Sequence, residues 1–219
     1  MPLHPSSWLF NLGADVYAWF TAQDAWRDSC ARLATHLPPR HGLRIVDLGC
    51  GPGVSTIELA RVRPDAAIVG LDVVPRMLRQ ARRRGAGRGI LWLRADAGRL
   101  PFATGSVDAL TGHSFLYLLG GATRARALPE MLRVLRPGGV VVLMEPSARP
   151  AGVGTVLGVS RDPRHLMSVA LWRPYSRLHG RFTAESLRAA LGGAGLVQAG
   201  AEDVLGGLGL MAWAAKPLS

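Results

Sequence analysis

The first part of the chain carries an apolar pattern typical of an amphipathic helix. Within residues 6–37 the apolar side chains recur at helical spacing. They are Val16, Phe20, Trp26, Cys30, Leu33 and Leu37. Because a residue that precedes proline disfavours helical backbone, we expect this helix to end at Pro38 and Pro39. Residues 1–37 are therefore predicted to form an N-terminal helical segment.

From residue 43 onward, short apolar runs alternate with amphipathic segments. The runs at residues 43–48, 67–71, 90–94, 109–114 and 140–145 are typical of buried strands. Helices are predicted between them at residues 55–61, 76–84 and 124–135. Strands that alternate with helices over short connections form a parallel sheet covered on both faces. No repeat or linker interrupts the pattern, so we expect residues 1–219 to form a single α/β domain.

Residues 146–181 do not fit this alternation. The segment is rich in glycine and proline, yet it also holds a set of large apolar side chains. These are Val156, Leu157, Leu166, Met167, Leu171 and Trp172. An apolar insertion after a central strand usually covers a site in open α/β sheets. We therefore predict a substrate cap here, the alternative being an irregular surface excursion.

Composition excludes several classes of protein. A chain of 219 residues that is 48% hydrophobic and 19% charged can bury a core and is not typical of disorder. Two cysteines, Cys30 and Cys50, exclude a disulfide framework and a four-cysteine zinc site, and no metal is predicted. The net charge of +11 fits nucleic acid, an anionic membrane surface or an acidic substrate, but a codon preference for arginine would produce it equally.

The sequence shows no targeting or membrane-spanning segment. The opening residues, MPLHPSSWLF, lack a basic region followed by a long apolar run. The apolar stretches at residues 140–144 and 204–215 fall short of the roughly 18 residues that span a bilayer. We therefore expect a cytoplasmic protein. The aromatic N-terminal segment and the arginines at 161, 164, 173, 177 and 181 add the hypothesis of peripheral contact with the inner face of the membrane.

A glycine-rich motif lies where the first strand turns into the first helix of the sheet. It is VDLGCGPG at residues 46–53, and Asp72 follows at the end of the second strand, where a carboxylate can accept hydrogen bonds from ribose hydroxyls. A nicotinamide fingerprint would read G-x-G-x-x-G, whereas this loop reads G-x-G-x-G after Asp47. A carboxylate beside the loop repels a pyrophosphate and attracts an ammonium or sulfonium group. The motif favours S-adenosylmethionine over a dinucleotide, although Asp47 and Asp72 could also be helix N-caps.

Further segments strengthen this interpretation. GLDVVPRML at residues 70–78, RADA with LPF and SVD at residues 94–108, and EMLRVLRPGG at residues 130–139 follow in order. Together with the glycine motif they resemble class I S-adenosylmethionine-dependent methyltransferases, in the small-molecule group of quinone-ring and phospholipid enzymes. The resemblance covers roughly residues 40–145, with a weaker match at residues 182–196. It implies a Rossmann-like, seven-stranded, mostly parallel sheet with helices on both faces, ending in a hairpin at about residues 197–203 and 210–216.

The resemblance also implies roles for individual residues. Asp47 and the loop backbone would hold the methionine moiety of the cofactor, the loop residues being Gly49, Cys50, Gly51 and Gly53. Asp72 would bind the ribose and Val73 would pack on the adenine. Asp96 would accept from the adenine amino group, and the Ala97 backbone would meet the ring edge. The exit of the fourth strand, at residues 111–114, would lie beside the sulfonium.

Catalysis by such an enzyme needs a base only where the acceptor must lose a proton. His113 stands at the end of the fourth strand, where it would adjoin the cofactor and serve as a base with a pKa near 6.5, or act as a structural histidine. Glu145 ends the fifth strand and is expected to orient the acceptor from the same rim. His165 and His179, in the cap, are weaker candidates. We expect Asp108 to be structural, and Arg133 and Arg136 to lie on a solvated helix face.

Three classes of function remain open. Aromatic residues in the N-terminal segment and the cap favour methyl transfer to a small apolar or amphipathic acceptor, such as a quinone-like, lipid or phenolic molecule. The arginines at 76, 79, 82, 83, 84 and 88 motivate a nucleic-acid methyltransferase. Against nucleic acid as a partner, the Asn/Asp-Pro-Pro-aromatic and Pro-Cys signatures are missing. A non-catalytic S-adenosylmethionine-binding protein is the third class.

Overall fold

A seven-stranded sheet forms the centre of the computed structural model, which describes Trp19 and residues 23–219. The strand order is β3-β2-β1-β4-β5-β7-β6. The strands are β1 Arg44–Leu48, β2 Ala67–Asp72, β3 Leu91–Arg94, β4 Val107–His113, β5 Leu135–Pro146, β6 Val197–Val204 and β7 Gly209–Ala215. The first five pair in parallel, and β7 runs antiparallel to both β5 and β6. The predicted seven-stranded, mostly parallel sheet with its C-terminal hairpin is confirmed.

Helices cover both faces of the sheet in the described part of the chain. They are α1 Asp24–Ala31, α2 Val54–Val62, α3 Pro75–Arg84, α4 Gly121–Val134, α5 Val153–Val159, α6 Pro163–His179 and α7 Ala184–Gly193. One face packs on α4 and α7 through side chains such as Met131 and Leu187. The opposite face packs on α1, α2 and α6 through Trp26, Leu59 and Val169. Because both faces are covered, β1 is buried from Ile45 onward.

The strand order reverses direction beside β1, and this reversal positions the site. β1 pairs with β2 on one side and with β4 on the other. The chain therefore leaves β1 toward one half of the sheet and returns through β4 to begin the other half. In open α/β sheets, ligands bind in the crevice at such a point, outside the carboxyl ends of the strands. The loops after β1, β2, β3 and β4 are the segments that border this crevice.

Two boundaries differ from the sequence interpretation. The single helix predicted over residues 6–37 is, within its described part, α1 followed by a 3₁₀ helix at Arg32–His36; residues 1–18 and 20–22 lie outside the described residues. β5 begins at Leu135 rather than at residue 140, because Leu135 pairs with Val107 before the Pro-Gly-Gly segment interrupts the register. The sequence did not predict the start of β5 at Leu135, because the proline and glycines that follow it are typical of turns.

Two arginines expected on a solvated helix face are engaged instead in ion pairs. The Arg133 guanidinium bonds to the Glu130 carboxylate and to the carbonyl oxygens of Leu100 and Phe102. Arg136 lies in β5, with its Nε 2.8 Å from Asp108 Oδ1. Asp108 also accepts a 2.7 Å hydrogen bond from the Arg44 backbone N–H. These contacts tie the starts of β1, β4 and β5 together, in keeping with a structural role for Asp108.

The segment predicted as a cap consists mainly of two helices, α5 and α6. The segment is joined to the domain where Ser147 forms a bridge with Phe182 and donates its backbone N–H to Leu208 O at 3.0 Å. Within the described residues, no helix combines the length and the apolar character needed to cross a membrane.

Candidate functional site

The glycine loop between β1 and α2 depends on backbone conformations that favour glycine. Gly49 has φ +63°, and a Cβ there would collide with the ring of Phe115 from the loop after β4. Gly53 has φ +91°, and a Cβ there would lie 2.8 Å from the Trp92 ring. Larger side chains at these positions would force apart the loop and the elements that pack on it. The glycines therefore allow the loop backbone to pack closely against Phe115 and Trp92.

Asp72 connects the end of β2 to this loop. Its Oδ2 accepts the backbone N–H of Gly51 at 2.9 Å, and its Oδ1 accepts that of Val74 at 2.8 Å. Burial raises the pKa of Asp72, and the amide donors oppose that rise. The next residue, Val73, is unusual because its apolar side chain is 39% exposed. A carboxylate beside an exposed apolar side chain is an arrangement suited to a ribose and its attached base.

Asp96 lies beside Asp72 at the neighbouring strand end. The backbone N–H of Ala95 donates to Asp72 O at 3.2 Å, which places the residues after β3 next to those after β2. Asp96 Oδ1 accepts the Gly98 N–H at 2.9 Å and so shapes a turn, while Ala97 is buried. The structure thus brings together the residues that the resemblance assigned to the ribose and the adenine. The donor and acceptor set fits the nucleoside part of S-adenosylmethionine.

Asp47 has surroundings that differ from those expected. Its carboxylate is fully buried and accepts hydrogen bonds from Ser55 Oγ at 2.6 Å, Thr56 Oγ1 at 2.7 Å and Thr111 Oγ1 at 2.9 Å. Burial raises its pKa, and the three hydroxyl groups oppose the rise. The expectation that Asp47 itself holds the methionine moiety does not agree with this geometry, because both of its oxygens are enclosed. Asp47 instead joins β1, α2 and β4 beneath the loop.

Cys50 is buried within the same loop. Burial, together with the nearby carboxylates of Asp72 and Asp47, raises the pKa of its thiol well above the usual value. A thiol held protonated is a poor nucleophile. Cys50 therefore contributes its backbone to the loop, where its N–H donates to Leu71 O at 3.0 Å.

His113 is the last residue of β4 and contacts α1 directly. Its Nε2 lies 2.8 Å from Ser29 Oγ, whose hydroxyl also lies 2.7 Å from the Trp26 carbonyl oxygen. A carbonyl can only accept, so the hydroxyl proton belongs to that bond and Nε2–H donates to Ser29. The remaining ring nitrogen, Nδ1, then carries a lone pair. Burial lowers the pKa of His113 to about 4, which corrects the sequence-based value near 6.5.

Ser114, which follows β4, combines an unusual backbone with an unsatisfied side chain. Its φ is +54°, a region that non-glycine residues rarely adopt. Its backbone N–H donates to Met144 O at 2.6 Å, and its Oγ is buried with no hydrogen-bond partner among the described residues. Strained backbone of this kind concentrates at ligand sites. The strand exit at residues 111–114 is therefore ordered by β5 and bears a free hydroxyl group.

Glu145 is a positioning residue, which corrects the expectation that it orients an acceptor. Its Oε1 accepts the backbone N–H groups of Phe115 at 3.1 Å and Leu116 at 2.6 Å, and its Oε2 accepts that of Tyr117 at 3.1 Å. The side chain is fully buried, and burial raises its pKa to about 7. Because its side chain has no exposed surface, Glu145 holds the turn after β4 in place rather than reaching a ligand.

Trp26 of α1 lies at the centre of a cluster of rings that includes His113. The Trp26 ring centroid is 5.8 Å from that of His113, 6.0 Å from that of His165 and 5.1 Å from that of Trp172. Trp26 Nε1 donates to Ser168 Oγ at 2.9 Å, which joins α1 to the cap. Sequence reasoning missed Ser29 and Ser168 as members of this cluster. Ser29 could have been found as a polar residue one helical turn after Trp26.

The second weaker candidate, His179, lies elsewhere on the cap. Its Nδ1 is 3.0 Å from the Tyr175 carbonyl oxygen, and its ring is 4.2 Å from the Tyr175 ring. The Tyr117 ring lies 6.5 Å from His179, on the turn that Glu145 holds. His113 and His165 share contact with Trp26, whereas no such contact links His179 to them in the described structure.

Comparison with known proteins identifies the central segment. Residues 45–139 match the family model described as a methyltransferase domain. The chain is 39% identical over 147 residues to a demethylmenaquinone methyltransferase of Thermus thermophilus, covering 66% of this chain and 60% of that protein. It is 39% identical over 122 residues to a trans-aconitate 2-methyltransferase of Azoarcus sp., covering 56% of this chain and 45% of that protein. The chain thus spans about half the length of the curated relatives it matches.

Solved structures share the fold at low sequence identity. The complex of the Haloferax volcanii Trm112 methyltransferase activator with a putative methyltransferase matches with a TM-score of 0.71 at 20% identity, covering 95% of this chain and 97% of that chain. Phosphoethanolamine N-methyltransferase 2 of Haemonchus contortus, in complex with S-adenosyl-L-methionine, matches with a TM-score of 0.69 at 15% identity. That match covers 94% of this chain and 57% of the Haemonchus chain.

Proposed function

We propose that this chain, which belongs to the class I S-adenosylmethionine-dependent methyltransferases, methylates a small, neutral acceptor of the quinol or phenol type. The observation that carries the proposal is the surroundings of His113. A neutral imidazole at the end of β4 contacts Trp26, which in turn contacts the rings of His165 and Trp172, and it lies next to the loop that fits the cofactor. Pockets for apolar ligands are mostly aromatic, with a few placed polar groups.

The cofactor supplies a methyl group on a sulfonium, which is already an activated donor. The protein therefore needs mainly to bind, to orient and to exclude water. In the proposal, Asp72 holds the ribose hydroxyls, Val73 packs on the adenine and Asp96 meets its amino group. Glu145 contributes indirectly, because it holds the turn on which Phe115 packs against Gly49.

His113 would act on the acceptor hydroxyl. Its Nδ1 lone pair is the one that remains after Nε2–H bonds to Ser29, and it can accept the proton that a phenolic or quinolic acceptor loses. A base with a pKa of about 4 is weak, so its main effect would be to orient the hydroxyl group. Ser29 in turn keeps the ring in the tautomer that exposes Nδ1.

The relatives suggest two kinds of acceptor, and the charges in the cap favour one of them. Demethylmenaquinone is a neutral quinone, whereas trans-aconitate is a tricarboxylate. The Arg173 guanidinium donates to the carbonyl oxygens of Ser147 and Arg149, and Arg181 donates to Ser176 Oγ. The side chains buried on the inner face of α6 are His165, Ser168, Val169 and Ser176, none of which is a fixed cation. A polyanion would be poorly compensated there.

The nucleic-acid alternative rests on α3 and the turn after it. Arg79, Arg82, Arg83, Arg84 and Arg88 are exposed there. A basic surface of this kind binds phosphates without specifying a reaction. The surface charge therefore does not distinguish a small acceptor from nucleic acid, and the methylation assay does.

The decisive experiment measures labelled methyl transfer from S-adenosylmethionine. The acceptors are demethylmenaquinol, trans-aconitate, a simple phenol and RNA, each with the wild-type protein and with Asp72→Ala. We expect label in demethylmenaquinol or the phenol, and little with the variant. Label only in trans-aconitate or RNA would contradict the proposed acceptor class. No label in any acceptor, with S-adenosylhomocysteine still bound, would favour the non-catalytic alternative.

We also propose that the outer face of the cap rests on an anionic membrane surface. Large apolar side chains of α5 and α6 are exposed on this face, which we term the outer cap face. They are Val153, Leu157, Met167, Leu171 and Leu178. Arg161, Arg164 and Arg177 are exposed on the same segment, whereas Arg173 and Arg181 bond to protein oxygens. Exposed apolar groups beside arginines are typical of interfacial elements.

A further inference from the structure

The cap helix α6 has its polar and apolar faces reversed relative to an ordinary surface helix. Its buried positions include His165, Ser168 and Ser176, while Met167 and Leu171 are exposed. A surface helix normally buries its apolar stripe and exposes its polar one. Burying polar groups costs free energy unless each finds a hydrogen-bond partner. The burial of polar groups on the inner face of α6 therefore requires a specific explanation.

Two of these buried polar residues have partners within the protein. Ser168 Oγ accepts from Trp26 Nε1 at 2.9 Å. Ser176 Oγ donates to Arg173 O at 2.9 Å and accepts from Arg181 Nε at 3.0 Å. The burial of these two serines is explained by the contacts that fasten the cap to α1 and to the chain before α7.

His165 is different, because neither of its ring nitrogens has a hydrogen-bond partner among the described residues. Its side chain is 0% exposed. Nε1 of Trp172, on the same helix α6, is also buried and has no hydrogen-bond partner among the described residues. Buried polar atoms in folded proteins are nearly always hydrogen-bonded, and each exception requires an explanation.

The position of these groups supplies that explanation. Trp26 contacts both His165 and Trp172, and it also contacts His113 at the end of β4. The unsatisfied nitrogens thus lie one aromatic ring beyond the residue that the proposed function places beside the acceptor. A molecule held among these rings would reach His113 with one end and the cap nitrogens with another.

Resting on the proposed function, we propose that His165 and Trp172 recognise a second, neutral oxygen of the acceptor, distinct from the one that meets His113. A hydroxyl oxygen can accept from Trp172 Nε1–H and donate to the lone pair of a neutral imidazole. A carbonyl oxygen can accept from both N–H groups. The acceptor class is thereby narrowed to an aromatic ring that carries oxygens at separated positions. Burial lowers the pKa of His165, which favours the neutral ring and therefore a neutral partner.

The test compares three naphthalene probes that differ only in one substituent. Binding of 2-naphthol, 2-methylnaphthalene and 2-naphthoate is followed by quenching of tryptophan fluorescence in protein saturated with S-adenosylhomocysteine. We expect the wild-type protein to bind 2-naphthol about five- to tenfold more tightly than 2-methylnaphthalene, the usual value of one hydrogen bond. We expect 2-naphthoate to bind no better than 2-methylnaphthalene, because its charge would be buried without a cation.

Two variants test whether the preference for 2-naphthol depends on the cap residues. Trp172→Phe keeps an aromatic ring and removes the N–H group, and His165→Leu removes both ring nitrogens. We expect each variant to lose most of the preference for 2-naphthol while binding 2-methylnaphthalene about as well as before. His179→Leu, the same change on the same helix at a ring that is already hydrogen-bonded, is the matched control and should keep the preference.

Stability gives an independent readout. Replacing an unsatisfied buried imidazole by leucine should leave the melting temperature of the ligand-free protein unchanged or raise it. The proposal is overturned if the wild-type protein shows no preference for 2-naphthol, if both variants keep it, or if 2-naphthoate binds most tightly. Failure of the wild-type protein to bind S-adenosylhomocysteine would contradict the proposed function instead.

Discussion

Ser29 of α1 and His113 of β4 are joined by a hydrogen bond of 2.8 Å between Oγ and Nε2, although they stand 84 positions apart in the chain. Because the Ser29 hydroxyl donates its proton to the Trp26 carbonyl oxygen, the contact with Ser29 selects one tautomer of His113. The tautomer leaves Nδ1 as the ring atom that can accept a proton. The N-terminal helix therefore shapes the chemistry available at the end of a central strand.

The first prediction concerns this pair. His113→Ala should lower kcat by about 10²-fold, near the lower end for a positioned base, because the imidazole is a weak base. Ser29→Ala should have a smaller effect, about tenfold, since it removes only the group that orients the ring. The affinity for S-adenosylhomocysteine, measured by calorimetry, should change little in either variant. His41→Ala, at an exposed imidazole, is the control.

The pH dependence of kcat/KM distinguishes this assignment from an ordinary histidine base. His113 accepts a proton only when neutral, and its pKa of about 4 means that it is neutral throughout the range from about pH 5.5 to about pH 8. We therefore expect no inflection near 6.5 that depends on His113. An inflection at that pH which disappears in His113→Ala would contradict a neutral His113 ring.

A second prediction concerns Asp72. Asp72→Ala should weaken binding of S-adenosylhomocysteine by about 1–3 kcal/mol, because it removes a charged acceptor and frees the Gly51 and Val74 amides. Asp72→Asn keeps one acceptor oxygen and should weaken binding less. Calorimetry measures both. Equal affinity in wild-type and Asp72→Ala protein would remove Asp72 from the cofactor site.

A third prediction concerns the stability contributed by Glu145. Its pKa is about 7 in the folded protein and near 4.5 in the unfolded chain. The folded state thus binds the proton more tightly, so this contribution is fully present below about pH 4.5 and is lost as the pH rises through about 7. In Glu145→Gln, which cannot titrate, this part of the pH dependence of the free energy of unfolding should be absent.

Urea unfolding at about pH 5 and about pH 8 measures this difference. Glu145→Gln should also lose the hydrogen bond to the Tyr117 amide, since its side-chain amide offers a single acceptor oxygen. His113 titrates in the opposite sense, because burial lowers its pKa, and it is unchanged in the variant. An identical pH dependence in wild-type and variant would show that Glu145 is ionised throughout.

A fourth prediction tests the outer cap face. The double variant Leu171→Gln/Leu178→Gln should partition roughly tenfold more weakly into phosphatidylcholine vesicles that contain phosphatidylglycerol, because full burial of a leucine contributes about 1.5–3 kcal/mol. Co-sedimentation measures the bound fraction, which should also fall with salt. Leu91→Gln, at a leucine that is 60% exposed on β3, is the matched control. Equal sedimentation of the double variant and the control would exclude this surface.

The sequence alone was sufficient for the order of the elements and for the class of cofactor. Periodicity in residues 43–145 predicts alternating strands and helices because the pattern of burial is local along the chain. Gly49 and Gly53 could be recognised because turns with positive φ leave a direct trace in residue type. Asp72 and Asp96 could be located because each lies at or just after the end of a recognisable strand, and parallel strands end at a common edge.

The tertiary structure decided which of these side chains faces a ligand. Asp47 and Asp72 look alike in sequence, each an acidic residue at a strand end, yet Asp47 is enclosed by hydroxyls that include Thr111, 64 positions away. Glu145 likewise meets amides 28 to 30 positions away, and His165 of α6 meets Trp26 of α1. The protonation of buried groups follows from neighbours of this kind, because desolvation and hydrogen bonding depend on distance in space and leave no periodic signal along the chain.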